Sequence, residues 1–217
     1  MGCYKCYIPG NRSKKHYVFA KRGMRIRDIV LVGFGGHAKS VADTIERTEQ
    51  FNIVGYTDVR EDTACSRYEY LGTDVVLKDI FDSGVKYAAI GVGYMGKGDT
   101  RDKLYKMLKD IRFELPAVID PSAIVSGTAA IGEGTFIGKG AIVNAEAKVG
   151  KMCIVNSKVL VEHETVVGDY SHVAVGASLC GQVCLGDHVF VGAGAVVVQC
   201  VNVGSGSFIK AGEVYCG

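Results

Sequence analysis

The residues best suited to chemistry in this chain sit close together. Glu162-His163-Glu164 places one imidazole between two carboxylates. An acidic partner favours the protonated ring and makes it a stronger base, so the triplet has the composition of a general base. His172 follows nine residues later and Gly181 nine after that. The plain alternative is a surface histidine with acidic neighbours, and spacing alone leaves both readings open. Cys180, next to Gly181, offers a thiol nucleophile, but no flanking base supports its activation.

A second group lies near the start of the folded region. Gly33-Phe34-Gly35-Gly36-His37-Ala38 approximates the dinucleotide-binding fingerprint, and Asp58 stands where a ribose-binding acid would sit. A further glycine-rich loop runs Gly91-Val92-Gly93-Tyr94-Met95-Gly96. Glycines let backbone approach phosphate whether the ligand is NAD or another nucleotide, so the loop's physics does not choose between them. A turn with no ligand is the third possibility.

Two kinds of element must position these groups. From Arg27 to about Leu115, strand-like and helix-like segments alternate. Asp28 to Val32 reads as a strand and Ala38 to Thr48 as a helix with Val41, Ala42 and Ile45 on one face. Phe51 to Tyr56 and Tyr87 to Val92 read as strands, and Thr100 to Lys109 as an amphipathic helix. Such alternation predicts a small Rossmann-like parallel sheet flanked by helices over residues 25–116.

After Pro116 the period becomes six. Sixteen aliphatics from Ile119 to Ile209 recur at every sixth position, including Val125, Ile131, Val155, Val161, Val173 and Val191. Mostly small residues such as Ala123, Thr135 and Ala177 follow four places on. The repeat predicts a left-handed parallel β-helix over residues 117–217, about five triangular coils in which each aliphatic rests on its counterpart eighteen residues away. Glycine directly after many of the aliphatics, as at Gly132 and Gly168, is expected to permit the turn conformation.

Composition narrows the function classes. At 217 residues with 48% hydrophobic and 22% charged residues, the chain can bury the cores of two small domains. Residues 1 to 27 carry eight Lys or Arg and no acid, leaving 17 basic against 23 acidic residues elsewhere. A nucleic-acid binder would carry its positive charge on the folded domains, so residues 1–24 read as a solvated basic arm. Apolar runs such as Ile29 to Val32 are too short to span a bilayer and no signal-peptide pattern appears, which predicts a cytoplasmic protein with no membrane partner. Eight scattered cysteines read as reduced thiols, and Cys3-x-x-Cys6, lacking a second pair, predicts no metal site.

The stretch Val161 to Gly181 closely resembles the sialic-acid O-acetyltransferase family of hexapeptide-repeat sugar acetyltransferases, and within it the bacillosamine-pathway UDP-4-amino-sugar N-acetyltransferases. The resemblance covers roughly Ile29 to Gly212. It implies acetyl transfer from acetyl-CoA, with His163 as general base and Glu164 raising its basicity. It places His172, Gly181, Ala193 and Ala211 against the coenzyme, with the Gly181 N–H on the thioester carbonyl oxygen. Gly35, Gly36, His37, Asp58 and Gly91 would hold the nucleotide sugar, with Asn156 and Glu162 near its sugar ring. It also implies a homotrimer with active sites at subunit interfaces. The segment Gly55-Tyr56-Thr57-Asp58 departs from the family in lacking paired acids. A hydroxyl acceptor, a non-catalytic trimeric scaffold and a metal-bound hydratase are the alternatives; the hydratase would need three histidines at spacings that His163, His172 and His188 do not have.

Overall fold

The computed structural model describes residues 26–62, 67–96 and 98–217. The basic arm, with Cys3 and Cys6, lies outside the described residues, as does Cys65. Strand β1 (Arg27–Val32), helix α1 (Gly36–Thr48), β2 (Phe51–Thr57), β3 (Tyr70–Gly72), α2 (Leu77–Asp82), β4 (Tyr87–Ile90) and α3 (Thr100–Ile111) form the first unit. Its four strands are all parallel in the order β3-β2-β1-β4. β1 is central, and Ile29, Val30, Leu31 and Val32 are fully buried because helices cover both faces of the sheet. β3 and α2 carry too few periodic residues to stand out in the sequence. The third expected strand stops at Ile90 rather than Val92, since the Gly91 N–H makes the last bond to the Val32 carbonyl before the chain turns away.

From Val118–Ile119 to Val214–Tyr215 the chain forms seventeen two-residue strands in three parallel sheets of five, six and six. Partners are eighteen residues apart, as Ile154, His172 and Phe190 show. The second residue of each strand points inward and builds one apolar column set containing Val155, Val161, Val173, Leu179, Val191 and Val197. This is the left-handed parallel β-helix that the repeat predicts. It continues one strand beyond the last aliphatic, with Tyr215 packed against the core in the inward position.

The corners correct one expectation. Left-handed backbone occurs at every sixth residue from Gly134 to Gly212, and eight of these positions are not glycine: Glu146, Met152, Lys158, Glu164, Tyr170, Gln182, His188 and Cys200. The glycines directly after the aliphatics serve a different need. A Cβ on Gly132, Gly168 or Gly192 would come within 2.6 Å of backbone in the adjacent coil. Close stacking of the coils, not turn conformation, selects glycine there.

The first unit covers one face of the prism. Ile29, Phe34, Ala38 and Ala42 share a core with Val118, Phe136, Ile154, Ala174 and Phe190, most of which point outward from that face. The second face presents Ile124, Ile142 and Val214 to solvent. The third face carries Ala130, Lys148, Val166, Cys184 and Asn202.

Candidate active site

Glu162, His163 and Glu164 form the corner between the second and third faces. His163 Nδ1 lies 3.2 Å from Glu164 Oε2. A carboxylate only accepts, so the shared proton sits on Nδ1 and the Nε2 lone pair is free. The same Oε2 accepts from Gln182 Nε2 at 3.0 Å. These bonds, Gln182's first and His163's second, hold the Glu164 carboxyl below its ordinary range. Glu162 turns the other way, its Oε2 accepting from the His163 N–H at 3.1 Å and from Asn144 Nδ2 at 3.0 Å. The two carboxylates therefore divide the work: one binds the ring and the other holds the corner's backbone.

Gly181 stacks on His163 one coil further along. A Cβ there would lie 2.7 Å from His163 Nε2, so only glycine leaves the ring its place. The Gly181 carbonyl accepts from the Cys200 N–H, while its own N–H bonds to no other described residue. A free backbone donor thus stands beside a free imidazole lone pair. Together these can take a proton and stabilise a negative oxygen.

His172 is placed differently. It points outward from the covered face and is 7% exposed. Its Nδ1 donates to the Tyr94 carbonyl at 2.5 Å, and Asn156 Nδ2 lies 3.4 Å from Nε2. Burial is the main cause lowering its pKa, opposed by the bond to Tyr94. The neutral ring therefore keeps an accepting Nε2. Tyr94 belongs to the loop after β4, which Arg101 fastens to the prism. Arg101 is 3% exposed and donates to the Val92 carbonyl and, at 2.8 Å, to the Met152 carbonyl. Sequence reasoning missed Arg101 because its position in an amphipathic helix resembles that of any exposed cation.

Gly35, Gly36 and Asp58 do come together. With Phe34, Lys39, Val59, Arg60, Glu61 and Asp62 they line a cleft of about 660 Å³. Asp58 accepts from the Phe34 N–H and the Val59 N–H, each at 2.6 Å, which ties the glycine loop to the end of β2. Arg60 and Lys39, the latter paired with Asp62 at 3.2 Å, add positive charge that the motif did not reveal, beside the carboxylates of Asp58, Glu61 and Asp62. Gly91 closes against this loop, since a Cβ would meet the Gly33 carbonyl oxygen at 2.3 Å. His37 leaves the cleft and packs edge-on against Phe136, with its ring centroid 5.1 Å away. Burial, helped by Arg101 and His172, lowers its pKa to about 3, and its Nε2 is buried without a partner.

Ala193 and Ala211 stack in successive coils at the corner between the first and second faces, and both are exposed. Asn156 lies at that corner too. Within one chain, then, Ala193, Ala211 and Asn156 stand one full face away from His163 and Gly181. Among the described residues no cluster of three or more His, Cys, Asp or Glu could hold a metal ion, and no helix is long and apolar enough to cross a membrane.

Residues 28–108 match the PglD N-terminal domain family. Comparison with the curated proteins gives no match. Among solved structures, the acetyltransferase domain of PglB from Neisseria gonorrhoeae is 28% identical with a TM-score of 0.81, covering 88% of this chain and 92% of its own. PerB from Caulobacter crescentus, solved with CoA and GDP-perosamine, is 29% identical with a TM-score of 0.80, covering 88% and 89%. WeeI from Acinetobacter baumannii, at 23% identity and a TM-score of 0.65 over 86% of this chain and 94% of its own, shares the fold. Two-unit architecture, coil repeat and these similarities agree in supporting a sugar acetyltransferase of the hexapeptide-repeat kind, with an N-terminal domain of the PglD type over residues 28–108.

Proposed function

We propose that this protein transfers the acetyl group of acetyl-CoA to the amine of a nucleotide-linked 4-amino sugar, with UDP as the nucleotide and a bacterial surface glycan as the destination. The single observation that carries this reading is the pairing of the free His163 Nε2 with the free N–H of Gly181, backed by Glu164 on Nδ1. His163 accepts a proton from the amine as its nitrogen attacks the thioester carbonyl. The Gly181 N–H holds the carbonyl oxygen as it gains negative charge. The N–C bond forms, the C–S bond breaks, and the departing thiolate takes the proton from His163. Cys180 has no part in this, and no acyl-enzyme is required.

The cleft at Gly35, Gly36 and Asp58 receives the nucleotide, where Lys39 and Arg60 supply charge for its phosphates. CoA-bound and nucleotide-sugar-bound relatives support both ligands. His172, Ala193 and Ala211 would line the coenzyme's path, with Asn156 and Glu162 near the sugar.

The same reading takes the protein to be a homotrimer. The nucleotide cleft sits over the first face, whereas His163 occupies the opposite corner, so one chain's cleft serves another chain's base. The exposed Ile124, Ile142 and Val214 on the second face favour burial against a second copy. Light scattering is expected to give three times the chain mass; a stable monomer at micromolar concentration overturns the shared site.

The experiment for activity mixes protein, acetyl-CoA and a series of UDP- and GDP-linked amino sugars and follows free CoA with a thiol reagent. Release with a UDP-4-amino sugar and loss in His163→Ala are expected. Release only with hydroxyl acceptors would move the reading to O-acetylation. Measurable NAD affinity without any for UDP would overturn the assignment of the cleft.

A further inference from the structure

One column of corner residues has, apart from Glu164, no role in that chemistry. Glu146, Glu164, Gln182 and Cys200 are eighteen residues apart, and all four adopt left-handed backbone, with φ of 58°, 58°, 61° and 62°. They therefore stack one above another along the corner that carries His163, at roughly the 4.8 Å spacing of neighbouring strands.

Three contacts link the upper members. Gln182 Nε2 donates to Glu164 Oε2 at 3.0 Å, the oxygen that also receives His163 Nδ1. The Gln182 backbone N–H donates to the His163 carbonyl at 3.0 Å. The Cys200 thiol donates to Gln182 Oε1 at 3.3 Å. Gln182 thus grips both members of the pair, one through its main chain and one through its side chain.

The carboxylate and the thiol favour the same amide orientation. Flipped, Gln182 would set Oε1 against the acceptor-only Glu164 carboxylate, losing that bond, and would exchange the thiol's donation for a weak contact of its NH2 with the sulfur. The column is otherwise unfavourable to Glu164. Glu146 lies on its other side, and Glu146 and Lys148 line the same shallow cleft as Glu164. Glu162 is turned toward Asn144 and the His163 N–H. A neutral donor in the next coil relieves the carboxylate where a second acid would not.

We propose that Gln182 is a positioning residue for the His163–Glu164 pair, and that the Cys200 thiol orients its amide for that task. Gln182 touches no reacting atom; it acts by holding Glu164 Oε2 on the ring. This rests on the reading of His163 as general base.

The test is steady-state kinetics over pH 5 to 9 for the full chain, with thermal melting and CoA affinity measured on each variant. Gln182→Met keeps length and loses the donor. It is expected to lower kcat on the order of 10-fold with both KM values within about 2-fold, since a hydrogen bond to a charged group is being removed. Gln182→Glu places two carboxylates one coil apart, and the acid limb of kcat is expected to move upward by about one pH unit. Cys200→Ala should lower kcat by roughly 3-fold, as expected for one weak thiol bond, and Cys200→Ser should recover most of that loss. If Gln182→Met does not fold, Gln182→Asn, too short to reach Glu164, takes its place. Wild-type kcat and pH profile in the folded Gln182 variant overturn the proposal. A loss confined to KM, with the profile unmoved, does the same. If His163→Asn keeps the full rate, the parent reading fails; if it is inactive while Gln182→Met is wild-type, only this proposal fails.

Discussion

A Cβ on Gly181 would lie 2.7 Å from Nε2 and 2.8 Å from Cε1 of His163. Gly181 has ordinary backbone geometry and the ring is the end of an exposed side chain, so alanine would displace the ring rather than strain the coil. Gly181→Ala is expected to leave the melting temperature almost unchanged and to lower kcat/KM by about 100-fold, the usual cost of a base misplaced by an ångström. Calorimetry beside the CoA-release assay separates the two effects. A large fall in melting temperature with little loss of rate would reverse this account.

Glu164→Gln preserves shape and removes the negative charge that faces His163 Nδ1. A loss of roughly 10-fold or more in kcat is expected, as general-base contributions of 100- to 10,000-fold depend on the base's partner. Because Glu164's folded pKa is lowered, the carboxylate stays ionised as pH falls below the ordinary glutamate value. Its support is present above that value and disappears only as pH drops through the lowered one. The wild-type acid limb therefore does not report Glu164, and pH profiles of wild type and Glu164→Gln should differ in height at every pH above 5.

Arg101 joins the loop after β4 to the prism through the half-buried Val92 carbonyl and the buried Met152 carbonyl. Arg101→Met would leave the Val92 and Met152 carbonyls without those donors and is expected to cost about 2–4 kcal/mol in urea unfolding. It should also release the Tyr94 carbonyl from His172, so CoA affinity is expected to fall with stability. A variant as stable as wild type would show that the guanidinium's own burial cost offsets its bonds.

His37 carries a pH signature. Its folded pKa of about 3 lies below the unfolded 6.5, so the unfolded chain binds more protons between these values. Stability is complete above pH 6.5 and is lost as pH falls toward 3, at no more than about 1.4 kcal/mol per pH unit for this group. His172 is shifted the same way and adds to the slope. Chemical denaturation between pH 5 and 7 should show a shallower dependence in His37→Phe than in wild type. Equal slopes would place the titration elsewhere.

The architecture was legible in the sequence because its two periods are local. An inward residue every six positions defines the coil wherever the chain goes, and the fully apolar Ile29 to Val32 identifies a strand buried on both sides. The reason for the glycines was not legible: Gly132 and Gly168 follow their aliphatics with the same regularity as the left-handed corners, and only adjacent-coil backbone within 2.6 Å distinguishes the two needs. Arg101 was invisible for the opposite reason, since nothing in a helix sequence marks which cation will be covered by another unit.

The sequence by itself determined that Glu162, His163 and Glu164 sit near a corner of a coil whose inward residues repeat every eighteen positions; that Gly181 stacks on the His163 ring came from the structure. Tertiary structure alone decided that Glu164 takes the ring while Glu162 takes the backbone, that His37 leaves the cleft at Gly35 and Gly36 for the Phe136 ring, and that Gln182 grips the pair from the next coil. Spacing along a regular coil dictates which residues are neighbours. Which hydrogen bond each neighbour makes depends on side-chain reach and on the partners that another coil or the other unit brings to it.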